Sequence, residues 1–269
     1  MSPWLELCRA AVGDVQRLLA ELPTRMEREP VIGTGHGGDE TTAIDAAAEQ
    51  AVVARLERLH EQGFDFTLVS EELGERVFGA PGDLWIVLDP IDGSMNAKRD
   101  IPYFSLSLAV ADGPRMGDVA FGFVYDFGSG EEWTAARGDG ARLDGIRLGE
   151  TAPKDPIEIL SLEATLTSSI ADRVGGFVGV ARRLRVMGSL ALSLCHLAAG
   201  RVDAVCSLKG ARAVDIAAAQ LVLRECGFAV ELFETPPLAE APLDVEARSR
   251  VVAGGSPEVC DRLAAALRS

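Results

Sequence analysis

Leu84-Trp85-Ile86-Val87-Leu88, an unbroken apolar run, leads directly into Asp89-Pro90-Ile91-Asp92-Gly93-Ser94-Met95-Asn96. The run reads as a buried strand. Beyond it, two carboxylates three residues apart straddle a proline-fixed turn. Gly93 permits close backbone approach and Ser94 is suited to start a helix. One turn can therefore offer hard oxygen ligands for magnesium beside a helix N-terminus that favours phosphate. It is not an EF-hand loop, which needs an oxygen ligand at its third position and glycine at its sixth. Here Ile91 is third and the glycine is fifth. Read alone, the stretch is also compatible with an ordinary acidic turn between strand and helix.

Upstream of this turn, Trp4, Leu5, Cys8, Val12, Val15 and Leu19 recur at helical spacing, and a second helix is expected over about Ile44–Glu61. Between them, glycine-rich Ile32–Glu40 reads as a loop, while the alternation of Phe64, Phe66 and Leu68 suggests a half-buried strand. Downstream, Phe104–Ala111, Val119–Asp126 and Glu132–Ala136 are short and separated by glycine-containing turns, which points to antiparallel strands. Arg137–Gly145 reads as a hairpin turn. After about Gly149 the pattern changes to alternating strands and helices: Ile157–Leu162, Ser168–Val174, Leu184–Met187, a helix from Ser189, Val202–Leu208, a helix from about Ala213, and Ala229–Leu232. Thr235–Leu243 reads as a proline-rich surface loop. Val251–Gly254 and a helix from Pro257 close the chain. The expected boundary lies near 148–156, dividing the chain into 1–149, an α+β half, and 150–269, an α/β half.

The chain has 269 residues, 26 basic against 41 acidic, for a net charge of −15. A field of that sign disfavours nucleic acid and anionic membranes as partners. An anionic substrate would then need locally held cations. Five cysteines, odd in number and without a CxxC pair, fit reduced thiols in a cytoplasmic protein. The first helix carries Glu6, Asp14 and Arg17 within its apolar pattern, unlike a signal peptide. No apolar run approaches the ~20 residues that span a bilayer.

Three further acidic sites stand out. Ser70-Glu71-Glu72 follows a strand, and adjacent glutamates there repel unless a cation or solvent screens them. Asp215 lies in Ala213-Val214-Asp215-Ile216-Ala217-Ala218-Ala219, where small residues allow close packing. Asp45 follows Thr41-Thr42-Ala43-Ile44. Both aspartates could equally be helix-capping residues.

Taken together, Ser70-Glu71-Glu72, Asp89-Pro90-Ile91-Asp92-Gly93-Ser94 and Val214-Asp215-Ile216-Ala217 resemble the inositol monophosphatase family of lithium-sensitive, magnesium-dependent phosphatases. Gly122-Phe123-Val124-Tyr125-Asp126, Trp133-Thr134-Ala135-Ala136-Arg137-Gly138 and Gly188-Ser189-Leu190-Ala191 match its pattern in order and spacing, so the resemblance spans about Thr42 to Gly227. It implies a mixed α/β layered sandwich, αβαβα, assembled as a homodimer. It also implies that Glu71, Asp89, the carbonyl of Ile91, Asp92 and Asp215 bind two or three Mg2+ ions. Gly93 and Ser94 would hold phosphate through their backbone. Asp45 and Ser94 would form a dyad near the attacking water, with serine standing where the family usually has threonine. Ser189 would contact substrate. His36, His60 and His196 are expected to be structural.

Inositol-specific members carry an acid shortly before the last metal aspartate. Here the stretch is Ser207-Leu208-Lys209-Gly210-Ala211-Arg212, with none. The pattern is closer to the archaeal type that acts on inositol phosphates and fructose 1,6-bisphosphate. Lys209 and Arg212, with Arg183 and Arg185, are candidates to pair with a second phosphate. The alternatives are a 3'-phosphoadenosine 5'-phosphate phosphatase of the same superfamily and a non-catalytic, magnesium-dependent sugar-phosphate sensor.

Overall fold

The computed structural model describes residues 3–36, 38, 40–163 and 166–269. Its helices are α1 (Pro3–Glu21), α2 (Arg25–Arg28), α3 (Ala43–Glu61), α4 (Ser94–Ala97), α5 (Thr167–Arg173), α6 (Leu190–Ala198), α7 (Ala213–Glu225) and α8 (Pro257–Arg268). Its first ten strands are β1 (Val31–Thr34), β2 (Glu40–Thr42), β3 (Phe66–Ser70), β4 (Gly74–Phe78), β5 (Trp85–Asp92), β6 (Ser105–Ala111), β7 (Val119–Asp126), β8 (Glu132–Ala136), β9 (Gly140–Leu143) and β10 (Ile146–Arg147). The remaining five are β11 (Ile157–Glu163), β12 (Ala181–Arg185), β13 (Ala204–Ser207), β14 (Ala229–Leu232) and β15 (Val251–Gly254).

Eight strands form one sheet in the order β10-β9-β8-β7-β6-β5-β3-β4, parallel only between β3 and β5. Five form a second, β12-β11-β13-β15-β14, and β1 pairs with β2 in a separate ribbon. Strand alternation sorts the side chains into layers. Phe66, Leu68, Ile86, Leu88, Leu106 and Phe123 pack against α1 and α3. The opposite face, with Val69, Val87, Ala109 and Val124, packs against α6 and α7. The other side of those two helices receives Val205, Val230, Val251 and Ala253 from the second sheet. Leu160, Leu162, Cys206 and Val252 point outward to Phe177 and α8. The result is the αβαβα stack.

The small residues of α7 have a geometric cause. A Cβ on Gly122 of β7 would lie 2.6 Å from the Ala218 carbonyl oxygen, so helix and sheet touch backbone to backbone. Overpacking such a contact costs roughly 1–3 kcal/mol. This close seat fixes the height of the α7 N-terminus over the sheet. The same core contains residues from both halves of the chain, although the strands of each sheet fall on one side of residues 148–156.

Several expectations are corrected. Val31–Thr34 and Glu40–Thr42 bracket the glycine-rich stretch as a two-stranded ribbon, so the loop is shorter than expected. β3 is buried along its whole length, because helices do not leave either face to water. Arg137–Gly145 contains β9. In Thr235–Leu243, Leu238, Ala241 and Leu243 are buried in the core between the sheets, tied down where Met116 N donates to Ala241 O (2.8 Å). All five cysteines are free thiols, four of them buried. No described helix is long and apolar enough to cross a membrane.

Candidate functional site

β5 and β6 pair regularly up to Asp89↔Ser107, then resume at Asp92↔Ser105. Three steps on β5 therefore match two on β6, the signature of a bulge. Pro90 lies inside it and has no N–H to give the ladder. In a regular strand, residues three apart face opposite ways. The extra residue reverses this, and Asp89 and Asp92 share the face that looks toward α7. Ile91 N donates to Asp89 Oδ1 (3.0 Å), bracing the turn.

The neighbouring strand supplies the next carboxylate. Parallel pairing sets Ser70 beside Leu88, so Glu71 emerges next to Asp89. Buried Glu49 holds this turn by accepting from the Ser70 hydroxyl and from the backbone of Glu72 and Leu73 (both 3.3 Å). Asp45 and Asp215 are each third residues of long helices, α3 and α7. Asp45 Oδ2 accepts from Thr42, and Asp215 Oδ2 accepts from Arg212 N (2.6 Å). Capping and cleft lining thus fall to the same side chains. Asp45 Oδ1 is buried with no hydrogen-bond partner.

These groups line one cleft of about 310 Å³ together with Ile91, Gly93, Ser94 and Lys209. The N-terminal ends of α3 and α7 border it, and so does Gly188, beside the Ser189 N-cap of α6. Their partial positive charges favour an anion in an otherwise acidic molecule. Gly93 adopts φ +97°, and a Cβ there would lie 3.1 Å from Gly188 O, so the two halves meet at bare backbone. Asn96 fastens the seam by donating to Tyr103 O and Met187 O, both at 2.8 Å.

The electrostatics are those of crowded carboxylates. Burial, then Glu71, Asp92 and Asp215, push Asp89 well above the ordinary range. Burial raises Glu71 to about 7 despite the neighbouring Arg212. It raises Asp92 to about 7 despite hydrogen bonds from Ser189 and Ala191 N (2.8 Å). Burial alone would depress Arg212, but Asp215, Glu71 and Asp89 drive it upward.

Such a set fits a hard divalent cation, since all its donors are oxygens and a positive charge would relieve their repulsion. Among the described residues, however, the triplet with ligand atoms mutually within 4.8 Å is Asp126, Glu131 and His196, outside the cleft lining. Glu131 is there held by Arg201 (2.6 Å). The cleft carboxylates stand wider apart, with Arg212 against two of them.

Some expected contacts are redirected. Arg183 and Arg185 lie on the exposed edge strand β12, off the cleft lining. Arg183 pairs with Glu158 (3.0 Å) and Arg185 donates to the Leu184 carbonyl (2.8 Å). Ser189 is buried and donates to Asp92, so it supports the turn rather than facing open space. Arg212, with a side chain only 5% exposed, donates to Glu71 and lies 3.4 Å from Asp215 Oδ1. Ser94 donates to Ile91 O (3.1 Å), while Asp45 is bonded to Thr42, so the two are not joined directly.

Lys98 and Glu163 are among the lining residues that escaped the sequence reading. Lys98 stands four residues after Ser94, the spacing of one helical turn, and that was its available signal. Glu163 ends β11 and is buried, accepting from Ser193 Oγ (2.6 Å), Ser161 Oγ (3.1 Å) and Gly188 N (2.9 Å). Nothing local in its sequence marks it.

Comparison with known proteins places the chain in a family and matches its fold. The profile of the inositol monophosphatase family matches residues 5–269. The chain is 32% identical to a fructose-1,6-bisphosphatase/inositol-1-monophosphatase of Methanothermobacter thermautotrophicus, over 97% of this chain and 95% of that one. It is 32% identical to Nus factor SuhB of Escherichia coli, covering 87% and 86%. A solved inositol monophosphatase–fructose 1,6-bisphosphatase superposes with a TM-score of 0.84 at 26% identity, covering 99% of this chain and all of the other.

Proposed function

The chain belongs to the inositol monophosphatase family, and on that premise we propose that it hydrolyses a small phosphate monoester of a polyol or sugar in a Mg2+-dependent reaction. The observation that carries this reading is the β5 bulge. It turns Asp89 and Asp92 onto one face, beside Glu71 and opposite Asp215. Those four carboxylates and the Ile91 carbonyl would hold two or three Mg2+ ions. Bound there, the ions would neutralise phosphate charge and activate a water.

The rest is done by the chain itself. The dipoles of α3, α6 and α7 draw the phosphate inward. Gly93 and Ser94 position it through the backbone, at a place where the positive φ of Gly93 and contacts of 3.1–3.2 Å would strain any side chain. In this reading Asp45, whose Oδ1 has no hydrogen-bond partner, would accept a hydrogen bond from the attacking water. Phosphoryl transfer needs mainly such positioning and charge neutralisation. The cations on the cleft lining are Lys98, Lys209 and Arg212. Lys98 and Lys209 come from opposite halves of the chain and suit a second phosphate, which supports fructose 1,6-bisphosphate beside inositol monophosphate as substrate. In this reading residues 1–149 supply most metal ligands and 150–269 supply Asp215 and substrate contacts. The chain works as a cytoplasmic homodimer.

Phosphate release should be measured on inositol 1-phosphate, fructose 1,6-bisphosphate and 3'-phosphoadenosine 5'-phosphate, with and without Mg2+. Mg2+-dependent turnover of the first two is expected. Turnover of the third alone would reassign the substrate. Failure on all three with retained Mg2+ binding would favour a sensor.

A further inference from the structure

We propose that Arg212 is a built-in cation that keeps the place between Glu71 and Asp215 until a divalent ion takes it. The inference rests on the metal-dependent reading above. It starts from where the guanidinium lies. Arg212 stands one residue before α7, its side chain is 5% exposed, and it donates to Glu71 Oε1 while lying 3.4 Å from Asp215 Oδ1. Glu71 follows β3 of the eight-stranded sheet and Asp215 lies in the helix stacked on that sheet, so the one side chain bridges both walls of the cleft.

Two carboxylates brought this close in a buried place repel strongly when nothing cationic lies between them. A single guanidinium nitrogen, Nη2, faces both carboxylates. The ion pair therefore holds the two carboxylates on either side of one cation. It also sets a competition, because a divalent ion ligated by Glu71 and Asp215 must take over contacts the guanidinium now makes. A residue offered by the sequence as a phosphate partner thus becomes available for that role only after the metal has entered.

The test is Mg2+ titration by calorimetry, without substrate, of the full-length wild type, Arg212→Met and Arg212→Lys, each checked for folding by circular dichroism. Removing the competing charge should tighten Mg2+ binding at least about tenfold in Arg212→Met, with a smaller gain in Arg212→Lys. Equal or weaker binding by folded Arg212→Met overturns the inference while leaving the metal reading intact. Absence of Mg2+ binding in wild type and variants alike overturns both. Wild type supplies an independent readout should the Met variant not fold. Phenylglyoxal modification of Arg212, followed by peptide mass mapping, should run severalfold faster with saturating Mg2+. An unchanged or slower rate would sink the proposal.

Discussion

The two walls of the cleft are built differently. The Asp89–Asp92 wall is local: one bulge, one proline and one left-handed glycine within five residues aim both carboxylates. The Lys209–Asp215 wall is held by long-range packing, with α7 seated on β7 at Gly122 and its leading arginine drawn inward by Glu71. A local wall keeps its geometry when the opposite one is altered. A packed wall changes its chemistry with whatever stands across from it. The difference predicts unequal effects of mutation.

The largest effect should come from the local wall. Asp89→Asn keeps the shape but removes a charge from the centre of the carboxylate set. Mg2+-dependent phosphate release should fall at least on the order of 10²–10³-fold, the scale of losing one preorganised electrostatic group. Undiminished turnover would leave the bulge without a catalytic purpose.

Next is the strut that crosses between walls. Ser189 and Ala191 N both donate to Asp92 from the start of α6. Ser189→Ala should reduce Mg2+ affinity or turnover about 10- to 100-fold, as loss of a ligand-orienting partner does. A purely substrate-contacting serine would instead raise KM and leave metal affinity unchanged.

The local wall was the readable part of the sequence. Asp89, Pro90, Asp92 and Gly93 each have a specific backbone consequence, and their order announces a turn that can hold ions. Several short strands were equally legible, as β7, β8, β14 and β15 show at their predicted ends. The fully buried β3 was harder to read, because alternation of apolar residues suggests a wet face that the layered stack covers. Charge on the packed wall was not legible. Arg183, Arg185, Lys209 and Arg212 are alike in sequence, and only the sheet order reveals that two sit on an outer edge strand, one at the cleft mouth and one against Glu71. Glu163 was invisible for the same reason, since its partners Ser161, Ser193 and Gly188 come together only when α6 docks on β11.

A third effect, smaller than either mutation, reports on both walls together. The carboxyls of Glu71 and Asp92 titrate near 7 in the metal-free fold, above their ordinary 4.5 and 3.8. The native state therefore holds these protons more tightly than the unfolded chain does. The stabilisation they give is full below the ordinary carboxylate range and is lost as pH rises through about 7. Metal-free protein should melt several degrees higher at pH 5.5 than at pH 8, on a scale of about 2–4 °C per kcal/mol. Added Mg2+ should raise the melting temperature more at pH 8. A metal-free protein more stable at pH 8 would mean that burial does not hold these carboxyls protonated.

The smallest effect tests where the packed wall ends. Lys209 is exposed at the cleft, and an exposed charge pair contributes at most about 1 kcal/mol. Lys209→Ala should therefore raise KM for fructose 1,6-bisphosphate about two- to fivefold, while KM for inositol 1-phosphate, with no second phosphate, stays within about twofold. Arg183→Ala serves as the partner measurement. Arg183, on β12, is paired with Glu158 of the neighbouring β11, outside the cleft lining, so both KM values should be unchanged. If the two variants behaved alike toward the bisphosphate, the edge strand would have to reach the substrate. The wall would then extend beyond the single turn before α7.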